Sequence, residues 1–309
     1  MSILIAIVCA LFAAIALTYG TLYQHWGVSN SGSTSSGESH RPTTARPLRF
    51  LGTLLQNMSW CVGLVIMVVG NLANIVALAL APVIIVQPIG ALSLVLSVVL
   101  AVRYRKLPLS TRLIFAIIAC TTGIAGFVTV SLFVAAQDML TAHSTLVLAG
   151  ISAGIAVCLA GVAGMWRKPV QSFFMIGAGV LFGCVAAGAH VVSVRFLTQV
   201  RDWELLTLVI AILLATIVGL WFVQIAHATG PPEVVIAGLT VIDPIVAVCI
   251  GIFILGEAPR ASGMTIVVMG MSGAIASFGV FMLSKYHPEV LARARSPLGK
   301  SEAVAAGGS

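Results

Sequence analysis

Apolar residues in this chain neither alternate with polar ones nor recur as a stripe every three or four positions. They come in long unbroken runs separated by short polar connections. An α-helix needs about 20 mostly apolar residues to cross a bilayer, and nine runs reach that length. They lie at roughly residues 2–22, 52–76, 83–102, 112–136, 145–165, 171–194, 206–227, 232–255 and 262–284. A membrane β-barrel would show short alternating segments instead. The pattern therefore predicts an all-α integral membrane protein of about nine transmembrane helices. Nothing basic precedes the first run, and it has a counterpart later in the chain, so it reads as a span rather than a leader peptide.

Composition excludes a soluble domain. The chain is 60% hydrophobic and 8% charged, where a soluble domain carries roughly a quarter charged residues. The net charge of +7 does not point to nucleic acid, because the basic residues sit between the spans as topology signals. With nine spans, only Arg195, Arg201 and Arg260 fall on one side, and the other 13 of the 16 Lys and Arg fall on the opposite side. This asymmetry predicts a multi-pass protein of the plasma (inner) membrane, with the N-terminus outside and the C-terminus cytoplasmic. The six cysteines are scattered about one per apolar run, without a CxxC, and read as packing residues.

The chain also resembles itself. ALFAAIALTYGTLYQHWGV (10–28) matches VLFGCVAAGAHVVSVRFLT (180–198) at an offset of 170. APVIIVQPIGALSLV (81–95) falls on PPEVVIAGLTVIDPI (231–245), and IIACTTGIAGF (117–127) on VVMGMSGAIAS (267–277), both at an offset of 150. The 20-residue difference is about the size of the Ser/Gly-rich stretch at 29–46, which only the first half contains. Spans one to four thus correspond to spans six to nine. Each pair is five spans apart, an odd number, so partners cross in opposite directions. Inverted repeats of this kind are a common architecture of secondary transporters. The organisation expected is a first repeat at 1–136 with a flexible cytoplasmic loop at 29–46, a linking helix at 137–168, a second repeat at 169–285 and a disordered cytoplasmic tail at 286–309.

Polar residues within the runs are the candidate chemistry. Asp243 is followed by Pro244, about 16 Å into the eighth span at 1.5 Å per residue, near the bilayer centre. A carboxyl there is costly, and proline frees backbone carbonyls beside it, which together suit a proton or cation site at a broken helix. The third span pairs Gln87 with Pro88. An amide in one half and an acid in the other suit a site for one positive charge rather than an acidic metal cage. Asn71 and Asn74 share a face and suit substrate contact as well as interhelical hydrogen bonding. His190 reads as a packing histidine or a proton relay. Trp221 and Gln224, three positions apart on one span, suit either the floor of an amphipathic pocket or plain packing. Glu233, after Pro231 and Pro232, stabilises a helix N-terminus or sits near the cytoplasmic mouth. Small-residue spacings such as Gly150/Gly154 permit close helix packing and leave a homodimer open. The GMSG at 270–273 lacks a later membrane histidine to serve it, and no HExxH or phosphate-cradling glycine loop is present, so neither an enzyme nor a cofactor is expected.

Three stretches carry a resemblance. ILGEAPRASG (254–263) resembles the LGE ending of EamA-type halves in the drug/metabolite transporter superfamily. ALALAPVIIVQPIGALSLVLSVVLA (77–101) is similar to the NIPA-type magnesium transporter branch, and GTLYQHWGV (20–28) to the start of actinobacterial-type members. The resemblance implies a permease without ATP hydrolysis, built from a duplicated inverted unit. The chain departs from the ten-helix pattern of that superfamily, five helices per half, by lacking the second helix of each half, and it carries RYRK at 103–106 where many relatives have an acid. The expected partners are the lipid bilayer and a small-molecule or ion substrate. The expected function is secondary transport of a small metabolite, organic cation or amphipathic solute by alternating access, with Asp243 coupling a proton. Magnesium transport and a non-transporting scaffold are the alternatives; Mg2+ keeps its waters and favours carboxylates, of which one lies deep here.

Overall fold

The structure is a computed structural model that describes residues 2–32, 57–105, 110–136, 141–165, 169–199 and 202–285. The described residues form α1 (Ser2–Gly32), α2 (Met58–Leu80), α3 (Val83–Gly90), α4 (Leu92–Arg105), α5 (Thr111–Val134), α6 (Ala142–Met165), α7 (Gln171–Leu197), α8 (Trp203–Thr229), α9 (Pro232–Phe253) and α10 (Gly263–Lys285). No strand occurs among them. Among the described residues nine helices are long and apolar enough to span a membrane, α3 and α4 counting as one over Val83–Tyr104. These are the nine runs predicted from the sequence. α1 continues ten residues past its expected end and takes in residues 29–32 of the stretch expected to be a loop. The rest of that stretch, and the tail at 286–309, lie outside the described residues.

The outer faces are apolar, as a lipid-facing surface requires. On α8 the row Leu206, Ile210, Leu213 and Ile217 is 56–66% exposed. That row would be untenable in water and is stable in hydrocarbon.

One expectation about the helix break is corrected. Both prolines remove a backbone donor, yet α9 runs unbroken through Pro244. The break comes after Pro88, where α3 ends at Gly90 and the Ala91 N–H turns back to the Pro88 carbonyl at 3.3 Å. Gly90 faces open space, so nothing holds the chain in line there. α9 is clamped against α7 on both sides of its proline, which keeps it straight.

Small residues set the helix contacts. Gly123 on α5 lies against the Ala276 backbone of α10, and Gly279 on α10 lies against the Cys120 backbone of α5. An added Cβ at either position would collide with main chain that cannot yield. Gly279→Val is therefore expected to destabilise the protein by about 1–3 kcal/mol, the usual cost of overpacking. Thermal unfolding in detergent measures it. α7 is the central element: 56% of its spanning window is buried, against 22% for α2, α6 and α10. α6, expected as a linker, packs against α7 and α8. No disulfide joins the cysteines among the described residues.

Candidate transport site

Asp243 sits midway along α9, where that helix crosses α7. Gly179 and Gly183 on α7 make the approach close. A Cβ on Gly183 would stand 2.6 Å from the Val246 Cβ and 2.9 Å from the Asp243 carbonyl oxygen, and one on Gly179 would stand 2.7 Å from the Ile242 Cβ. The Asp243 Oδ1 is buried and has no hydrogen-bond partner, and neither has the buried hydroxyl of Ser152 on α6. The Cys184 thiol on α7 lies within hydrogen-bonding reach of Ser152 and within electrostatic reach of Asp243. A buried oxygen left without a donor costs about 1–3 kcal/mol, more for a charged group. Such sites persist where they have a use. α3, which carries Gln87 and Pro88, packs against α9.

A crevice of about 570 Å³ opens between α7, α9 and α10. It is lined by Met175, Val234, Ala237, Val241, Ile242 and Phe281, and Lys285 stands at one end. Its walls are almost wholly apolar. Val241 and Ile242 immediately precede Asp243, so the crevice reaches the carboxyl's own turn of helix.

At the opposite end of the bundle a polar cluster ties α2, α3 and the end of α5 to α7 and the connection after α9. After α9 the chain turns through Gly256, whose φ of +69° is the left-handed conformation glycine tolerates best. The Glu257 N–H donates to the Gly251 carbonyl at 2.9 Å, which folds the side chain back over the bundle. Gly251 makes room for it: a Cβ there would be 2.6 Å from Glu257 Oε2. Glu257 Oε1 accepts from the Val83 N–H at 2.8 Å, and Oε2 from the Ile84 N–H at 3.0 Å. These are first-turn donors of α3, which an acid satisfies best. His190 Nε2 lies 3.2 Å from Oε1, and His190 Nδ1 lies 2.5 Å from the Leu78 carbonyl oxygen. The Glu257 carbonyl accepts from the Ala136 N–H beyond α5 at 2.9 Å. Glu257 is 3% exposed. Burial pushes its carboxyl up to about 7, against the opposing pull of the two backbone N–H groups.

Glu257 was not among the residues singled out for the site. Its trace in the sequence was the acid of ILGEAP, next to a glycine. The other expected residues are dispersed. His190 is buried and paired as described. Asn71 is exposed and its side chain donates to the Met67 carbonyl one turn back, while Asn74 is half-buried. Trp221 and Gln224 lie on exposed positions of α8, Trp221 packing edge-on against Phe174 and Phe222. Glu233 opens α9, and its side chain lies outside the described set. Among the described residues no group of three or more His, Cys, Asp or Glu is placed to hold a metal ion.

Comparison with known proteins adds a family likeness. The family profile described as magnesium transporter NIPA matches residues 36–161. That segment holds Gln87 and Pro88 but not Asp243, His190 or Glu257. A probable magnesium transporter of Arabidopsis thaliana, NIPA5, is 42% identical over 73 residues, which are 24% of this chain and 18% of that protein. A probable magnesium transporter of Candida albicans is 44% identical over 57 residues, 18% of this chain and 16% of that protein. The chain thus spans less than a fifth of those two transporters. An uncharacterised protein of Corynebacterium glutamicum is 26% identical over 297 residues, 91% of this chain and 95% of the other. No solved structure matches. The relatives that carry a functional name are named as transporters, and the nine spans agree with a multi-pass membrane protein.

Proposed function

We propose that this protein is a secondary transporter that carries Mg2+ across the membrane, with Asp243 as the cargo carboxylate. The observation that carries the reading is the unpartnered Asp243 Oδ1, buried at mid-span against glycines of α7. Similarity of residues 36–161 to magnesium transporters supports Mg2+ as the cargo. A single carboxylate suits Mg2+ that keeps most of its waters and is held through one or two acids. The Ser152 hydroxyl and the Gln87 amide would then orient those waters. The crevice beyond Val241 and Ile242 offers the path to the end of the bundle that carries Lys285.

Alternating access would rock α1–α5 against α7–α10, as inverted repeats do. The recurrence of the same helix pairings supports this: α1 packs on α2 as α7 packs on α8, and α5 pairs with α10 across the molecule. By the charge asymmetry of the connections, Lys285 lies on the cytoplasmic side.

The test is Mg2+ uptake into vesicles containing the purified protein and a trapped Mg2+-sensitive dye. Saturable uptake is expected; dye signal no faster than in empty vesicles would sink the reading. One observation favours a second cargo. The apolar crevice of about 570 Å³, whose lining reaches Val241 and Ile242, would suit an organic cation with an apolar body. Tetraphenylphosphonium that inhibits Mg2+ uptake competitively, and is itself taken up, would favour that cargo.

A further inference from the structure

We propose that Glu257 and His190 together form a binding site for one proton, and that this proton latches the two halves of the molecule shut at the end opposite Lys285. It depends on the alternating-access reading only for what opening of the latch would accomplish.

Hydrogen-bond valence carries the inference. The Leu78 carbonyl accepts only, so a bond to it requires a hydrogen on His190 Nδ1. A neutral imidazole has one N–H. Nε2 then carries a bare lone pair, which faces the Oε1 lone pairs of Glu257 at 3.2 Å. The contact is attractive only with one more proton between them, whether it rests on the carboxyl or on the ring. Without it, the ring can satisfy Leu78 or Glu257 but not both. The two backbone donors, Val83 and Ile84, remain served in either state.

The contacts cross the halves. Glu257 and His190 belong to the second half, whereas Leu78, Val83, Ile84 and Ala136 belong to the first. Removing the proton therefore weakens the join itself rather than a bond within one half.

The surroundings leave the pair electrostatically alone. α2 presents the Leu78 carbonyl, α3 two N–H groups, the end of α5 the Ala136 N–H, and α9 the hydrogen of Gly251. On the same helix as His190, Arg195 pairs with Asp202 at 3.5 Å. Asp243 lies beside Cys184. Among the described residues, no other ionisable group makes a hydrogen bond or ion pair with Glu257 or His190.

The direction of the pH effect follows. Burial raises the Glu257 carboxyl from 4.5 to about 7. An acid raised in the closed state favours closure fully below its solvated value, and that contribution disappears as pH rises through about 7. The latch holds at acid pH and loosens at alkaline pH.

The test reads access to the latch without any cargo. Ala81→Cys, buried at the end of α2 beside the latch, is introduced into the full chain with its native cysteines replaced by alanine. A charged methanethiosulfonate reagent then labels it at about pH 6 and about pH 8. Glu257→Gln keeps an acceptor for α3 and always offers an N–H to the ring, so it stands in for the protonated acid. Its rates also correct for the thiol's own titration. The wild-type rate, divided by the Glu257→Gln rate at the same pH, is expected to rise about tenfold or more across this range. Glu257→Ala should label readily at both pH values. A ratio that stays flat overturns the proposal, as does a Glu257→Ala rate no higher at acid pH than wild type. Failure here with intact Mg2+ uptake would remove the latch and leave the cargo reading standing.

Discussion

Glu257→Ala is expected to lower the stability of the purified protein by about 3–5 kcal/mol, the range for breaking a buried charged pair. The substitution strips the Val83 and Ile84 N–H groups of their acceptor and leaves His190 Nε2 without a partner. Each orphaned buried donor costs about 1–3 kcal/mol. Water replaces the carboxyl poorly, because Glu257 is 3% exposed. The loss concentrates where α2, α3, α5, α7 and α9 meet. Thermal and urea unfolding in detergent measure it. Glu257→Gln should recover more than half of the loss. A Glu257→Ala protein as stable as wild type would mean that the carboxyl holds nothing.

The second large effect separates function from stability. Asp243→Asn is expected to reduce Mg2+ uptake by about a hundredfold or more. Two unit charges at 4 Å with an effective dielectric of 20 attract by about 4 kcal/mol, which is roughly three decades in affinity. An intervening water weakens this toward two decades. The same substitution should leave stability unchanged or raise it, since Asn replaces a carboxyl whose buried Oδ1 has no hydrogen-bond partner among the described residues. Reduced uptake with an undiminished melting temperature places the carboxylate on the transport path. Undiminished uptake would move the cargo elsewhere, whatever the stability.

These two acids differ in how far the sequence exposes them. Asp243 is legible because it interrupts an apolar run, and a charge at mid-span is conspicuous against hydrocarbon. The spans are legible for a related reason. In lipid each helix must satisfy its own backbone hydrogen bonds, so length and apolarity nearly determine it locally. The basic connections are equally local, and they predict an orientation.

Glu257 is different. Its acceptor oxygens serve N–H groups 173 and 174 residues away, and its ring partner sits on a third element. Backbone donors carry no side-chain signature, so no pattern in 254–263 announces them. The two prolines make the same point. Pro88 and Pro244 each remove one donor from an apolar helix, and the sequence marks both as breaks. Only one helix breaks, because Gly90 borders open space while α9 is held against the glycines of α7.

The sequence by itself determined that the chain crosses a bilayer, where its helices run, and that a carboxyl lies deep in one of them, since each follows from the free energy of a single segment in hydrocarbon. Tertiary structure alone decided which proline interrupts its helix and which acid ties α3 to α7. Those outcomes depend on hydrogen bonds and close contacts between segments distant in sequence, and their energy belongs to neither segment alone.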